Sequence, residues 1–187
     1  VVGMGCWLWI SVGTGVLAQP SAACTFEQLT DASSDGSYSI IEVELGNRLV
    51  ALYVDDDRFG DPGLNSYLYD TVTGTYRQYI GDAELESLEI SGDDSTILFT
   101  SADSPVSGGN PDGNTELYLY DVGADALRQL TFTTEPQPSF RDLSISTDGN
   151  RIAFTARVDL VGDNPAGQEV AYLYDRSSDS FQQITDP

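Results

Sequence analysis

Four short segments of this chain end on one pattern: Phe26-Glu27-Gln28-Leu29-Thr30, Tyr76-Arg77-Gln78-Tyr79-Ile80, Leu127-Arg128-Gln129-Leu130-Thr131 and Phe181-Gln182-Gln183-Ile184-Thr185. Their central glutamines, Gln28, Gln78, Gln129 and Gln183, are 50, 51 and 54 residues apart. A second series precedes the last three: Tyr67-Leu68-Tyr69-Asp70, Tyr118-Leu119-Tyr120-Asp121 and Tyr172-Leu173-Tyr174-Asp175. Before these lies a third, over 41–52, 88–99 and 143–154. A fixed period of this size indicates stacked supersecondary units, each burying its apolar faces against its neighbours.

Each unit reads as four strands. In the third, Leu143-Ser144-Ile145 alternates apolar and polar residues, and Thr147-Asp148-Gly149-Asn150 supplies a hairpin turn in which glycine accepts positive φ at low cost. Arg151-Ile152-Ala153-Phe154-Thr155 is the returning strand, and a polar loop runs over 156–168. Val170-Ala171-Tyr172-Leu173-Tyr174 is nearly all apolar, as a strand covered on both faces would be. Asp175 opens a further turn whose backbone N–H groups its carboxylate can cap. The segment from Phe181 to Thr185 is the outer strand. A repeat of four antiparallel strands is a propeller blade, so the expected fold is an all-β propeller. Its blades fall at 37–80, 83–131 and 138–185, after a closing strand at 26–30. Three blades are too few to close a ring, and further blades are expected beyond them.

These units resemble the WD-like repeats of TolB-type propellers. The matching features are Ser146-Thr147-Asp148-Gly149-Asn150, Ile152-Ala153-Phe154, the Tyr-Leu-Tyr-Asp strand ends and the closing Gln-Leu-Thr or Gln-Ile-Thr. The resemblance spans 26–187 and is weakest in the first unit, where Glu44-Leu45-Gly46-Asn47 lacks the aspartate. It implies a scaffold for protein interactions in the cell envelope. Similar propellers also cap serine peptidases of the prolyl oligopeptidase type, in which a separate α/β-hydrolase domain carries the chemistry.

Residues 1–26 carry no charge, and the apolar run from Trp7 to Leu17 ends in Ala18. Small residues at Val16 and Ala18 suit signal cleavage before Gln19, with cleavage after Ala23 an alternative. Residues 1–18 are therefore expected to be a signal peptide or an N-terminal anchor, with 19–25 as a linker. Ser21-Ala22-Ala23-Cys24 is an imperfect lipoprotein box. The expected location is secreted or periplasmic, with membrane contact only through this segment.

Charge excludes more than any motif. The net charge is −22, and every positive residue is an arginine. Without histidine there is no Ser-His-Asp triad and no histidine metal site. Without lysine there is no phosphate-loop lysine and no Schiff base. No Gly-x-Ser-x-Gly elbow occurs. The acidic surface repels nucleic-acid phosphates and suits a basic or envelope-associated protein partner. The expectation is a non-enzyme without an obligatory cofactor.

The loops between second and third strands, at 54–66, 101–115 and 156–168, are long and rich in oxygen ligands. Asp103, Asn110, Asp112, Asn114, Glu116, Asp159 and Asp163 are the calcium candidates, since carboxylates and amide oxygens suit that ion. Asn110-Pro111-Asp112-Gly113-Asn114-Thr115-Glu116 comes nearest to a calcium loop, but its glycine stands fourth rather than sixth, so it is not an EF-hand. The same residues also make ordinary turns. A calcium-stabilised adhesion protein is a third functional reading, beside scaffold and peptidase cap.

Overall fold

Alternation, turn chemistry and aromatic pairing act together to build each blade. The computed structural model describes residues 39–55, 64–81, 83–136 and 138–186. All of these belong to one compact unit, Ser33–Pro187. The expected signal segment, linker and closing strand at 26–30 lie outside the described residues.

Twelve strands form three antiparallel meanders of four. The first blade holds β1 (Ser39–Leu45), β2 (Leu49–Asp55), β3 (Leu64–Asp70) and β4 (Thr75–Gly81). The second holds β5 (Ser87–Ile90), β6 (Thr96–Ser101), β7 (Glu116–Asp121) and β8 (Ala126–Gln129). The third holds β9 (Phe140–Ile145), β10 (Arg151–Ala156), β11 (Val170–Asp175) and β12 (Ser180–Gln183). The first strand of each blade touches the first strand of the next, β1 against β5 and β5 against β9, as the inner strands of a propeller do. Among the described residues no helix is long and apolar enough to cross a membrane.

The two-residue period explains why the third strands are so apolar. On β7, Tyr118 and Tyr120 enter the core shared with the first blade, beside Tyr53, Leu68, Ile97 and Phe99. Leu117 and Leu119 point the other way, into the core shared with the third blade, beside Ile152, Phe154, Tyr172 and Tyr174. Both faces of a middle blade are thus interior, and complete burial of each such side chain contributes about 1.5–3 kcal/mol. On β11 only alternate residues are buried, because Ala171 and Leu173 face away from the second blade.

Cross-strand aromatic pairs recur at equivalent positions. Phe99 stacks on Tyr118 with centroids 5.3 Å apart, and Phe154 on Tyr172 at 5.7 Å. Tyr69 meets Tyr76 at 4.7 Å, and Tyr174 meets Phe181 at 4.9 Å. Such pairs fix strand register.

The turns follow their sequence. Gly149 has φ 67°, and Asp148 accepts the backbone N–H of Asn150 at 3.1 Å and the hydroxyl of Ser146 at 2.6 Å. Asp175 accepts the N–H of Ser177 at 2.9 Å. Arg48 and Arg151 pair with Asp70 and Asp175, as surface arginines after a turn are expected to.

Candidate functional site

Loops held on a rigid frame are the usual place for recognition, and two of the three long loops are described in full. The loop of the first blade lies largely outside the described residues, Asp61 included.

The loops of the second and third blades share one internal design. The hydroxyl of Tyr118 donates to the carbonyl of Asp103 at 3.0 Å, and that of Tyr172 to the carbonyl of Val158 at 2.7 Å. Each loop then turns on a Gly-x-Asn-Pro-x-Gly segment, at 108–113 and 162–167. All four flanking glycines have positive φ, between 61° and 90°. The amide of Asn110 donates to the carbonyls of Asn114 at 2.7 Å and Ala102 at 2.9 Å. Asn164 donates to Gln168 at 2.7 Å in the same manner. These asparagines are pegs that hold the loop to its own backbone.

The two loops differ in what the peg's oxygen meets. Asn164 Oδ1 accepts the N–H of Gln168 at 3.0 Å. Asn110 Oδ1 is buried without a hydrogen-bond partner, as are Asn114 Oδ1 and Gln129 Oε1. Three buried acceptors without donors, all around one loop, are uncommon in a folded protein.

Beside them lies Glu116, only 1% exposed. Its carboxylate accepts the hydroxyl of Thr131, the N–H of Thr133 at 2.6 Å and the hydroxyl of Thr133 at 2.9 Å. Burial pushes the Glu116 carboxyl above its ordinary range, and the threonine donors pull against that. Burial also raises the Tyr118 hydroxyl to about 12. Asn110, Asp112, Glu116 and Gln129 line one pocket of about 540 Å³ with Pro111 and Phe132.

The calcium candidates are therefore divided. Asn110, Asp112 and Glu116 share the pocket, whereas the Asn114 amide ties the loop to Thr133 and Glu135. Asp103 accepts the N–H of Glu84 at 2.6 Å, outside the pocket lining. Asp159 belongs to the other loop, where it accepts the N–H groups of Gly162 at 2.7 Å and Asn164 at 3.1 Å. Asp163 is exposed on that loop. Among the described residues no group of three or more His, Cys, Asp or Glu side chains is placed to hold a metal ion.

In the sequence Gln129 stands out only as a repeat position, and Phe132 does not stand out at all. A signal for Phe132 exists, since alignment of the three units places Gly81 and Asp186 where the second has Phe132.

No family model matches the chain, and no curated protein matches it. Solved structures do. The β-propeller domain of the Trilobed protease from Pyrococcus furiosus is 12% identical at a TM-score of 0.56, covering 80% of this chain and 43% of that one. A TolB-type protein from Agrobacterium tumefaciens is 19% identical at 0.50, covering 82% and 44%. An acylaminoacyl peptidase from Pyrococcus horikoshii is 15% identical at 0.52, covering 80% and 25%. The chain spans less than half the length of each. The blades are those of a β-propeller, of the kind found both in TolB-like proteins and in the propeller domains of peptidases.

Proposed function

We propose that the chain is part of a non-enzymatic propeller scaffold that binds protein partners in the periplasm or outside the cell. The observation that supports this most is the design of its rim. Long loops are pegged to their own backbone by Asn110 and Asn164 and tied to the frame by the Tyr118 and Tyr172 hydroxyls, which gives a preorganised surface. The chain carries −22 charges and has neither histidine nor lysine, so that surface favours basic partners. The likeness to a TolB-type protein agrees with an envelope location.

A second reading makes these blades the propeller of a peptidase, supported by the likeness to acylaminoacyl peptidase. A fluorophosphonate probe distinguishes the two, because it labels an activated serine nucleophile. The scaffold reading predicts that the full-length protein from its native cells is unlabelled and does not cleave peptide nitroanilides. Labelling that is blocked by a peptide chloromethyl ketone would establish the peptidase instead.

A further inference from the structure

The three blades repeat one another closely, so positions at which only one blade departs are informative. Positions shared by all blades are explained by folding. A local rule broken in one blade points to function. Two such departures meet in the second blade. Glu116 is a buried carboxylate where the third blade has the apolar Val170 and the first has the neutral Asn65. Phe132 is 71% exposed at a position held by Gly81 and Asp186 in the other units. Both line the same pocket, with Asp112.

Beneath the largely apolar pocket surface lie acceptors left without donors. The amide nitrogens of Asn110 and Gln129 are taken by carbonyls, of Asn114 at 2.7 Å and Thr131 at 2.8 Å. Their oxygens are left without donors, although the two side chains belong to residues only 6% and 5% exposed. No described arginine reaches Glu116. The arginines at 48, 77, 128, 151, 157 and 176 pair with Asp70, Asp125, Asp179, Asp175, Glu169 and Asp121, and Arg141 donates to Ser139.

We propose that this pocket receives an arginine side chain of a protein partner. The geometry calls for a positive charge, several N–H donors and an apolar stem in one group. A guanidinium has all three: five donors in a planar fork, a delocalised charge and a face that stacks on an aromatic ring. Its donors would go to the exposed Asp112, with the buried Asn110 Oδ1, Gln129 Oε1 and Glu116 supplying negative potential behind it and Phe132 covering the stem. A bare metal ion would leave Phe132 and Pro111 unexplained. This inference rests on the scaffold reading and names the chemistry of the partner at one rim.

The test is a nitrogen-15 NMR titration of the full chain with acetyl-Gly-Leu-Arg-Leu-Gly-amide, run beside the same peptide bearing citrulline, which keeps the shape and removes the charge. The expected result is peptide-dependent shifts at the amides of Gly109, Asn110 and Thr133. Binding should weaken at least fivefold in Phe132→Ala and in Asp112→Asn, and also with citrulline. Asp163→Asn, the same charge change on the neighbouring loop, should have no effect. Phe132 and Asp112 are exposed, so both variants should keep the wild-type fold, which their spectra will show. Equal binding of the citrulline peptide would overturn the proposal. So would shifts confined to other loops, which would leave the scaffold reading standing. Shifts at these amides with calcium alone and none with peptide would also overturn it, in favour of a metal site.

Discussion

The carboxylate of Asp94, in the β5–β6 turn of the second blade, accepts the backbone N–H of Asn47 in the first at 2.7 Å. Its other oxygen accepts the N–H of Arg48 at 2.8 Å, so one side chain caps the β1–β2 turn of its neighbour. Asp94 holds this position at φ 63°, a conformation that non-glycine residues seldom adopt. Asp94→Ala should lose both bonds and keep the strain, costing about 1–3 kcal/mol. Asp94→Asn keeps one acceptor and tolerates the conformation, so it should cost less. Urea unfolding of the two variants checks this order.

The equivalent residue of the third blade is Gly149, at φ 67°. A β-carbon there would lie 2.4 Å from Thr96 Oγ1 of the second blade. Gly149→Ala should therefore destabilise by about 1–3 kcal/mol through strain and displacement of Thr96. A melting temperature within 1 °C of the parent's would contradict that close approach.

A second inter-blade contact repeats. Arg77 of β4 reaches the Tyr120 hydroxyl at 2.8 Å and Asp125 at 3.0 Å, in the β7–β8 turn. Arg128 of β8 reaches Asp179 in the β11–β12 turn, which also accepts the Tyr174 hydroxyl at 2.8 Å. Asp125 and Asp179 have φ of 51° and 50°. Burial and the Asp125 bond raise the Tyr120 hydroxyl to about 12. Arg77→Met should lower the melting temperature by roughly 2–4 °C, as loss of one partly exposed pair does in a domain of this size. Adding Asp125→Asn to that variant should cost little more, which a double-mutant cycle would record as coupling.

Acid should act on two groups of carboxylates in opposite directions. Asp148 is held down to about 2, first by the Ser146 hydroxyl and then by Asn150, and Asp121 is lowered by the Ala124 N–H and by Arg176. Their contribution to stability is present above the unfolded value near 4 and is lost as pH falls through the folded values. Glu116 is raised by burial, so its protonated form favours the fold and that contribution is lost as pH rises through its folded value. Glu116→Gln should therefore gain stability relative to wild type between about pH 4 and pH 7. Asp148→Asn should flatten the loss of stability below about pH 4. Melting curves across pH 2–7 test both signs.

The blade plan was legible in the sequence because its determinants are local. Tyr172-Leu173-Tyr174-Asp175 shows a strand end and a turn cap within four residues, and Asp148-Gly149 shows the hairpin. The Arg77–Asp125 contact was not legible, because the two residues are 48 apart and meet only when blades stack. Asn110 and Glu116 show their oxygens in the sequence. Burial and partners decide what those oxygens do, since the same asparagine serves as a peg when its nitrogen faces carbonyls. Phe132 stands in a linker between strands, where it departs from Gly81 and Asp186 but only the structure shows it to be exposed.

Repeated positions build the blades, and the proposed recognition surface lies at the departures, Glu116 and Phe132. A photo-crosslinking residue placed at position 132, and separately at Val72 on the opposite rim, tests it most directly in native cells. Val72 is 74% exposed and Phe132 71%, so accessibility is matched. The expected result is a defined protein adduct from position 132, competed by an arginine-containing peptide, and none from position 72. Adducts of equal yield at both positions, or none at 132, would contradict it.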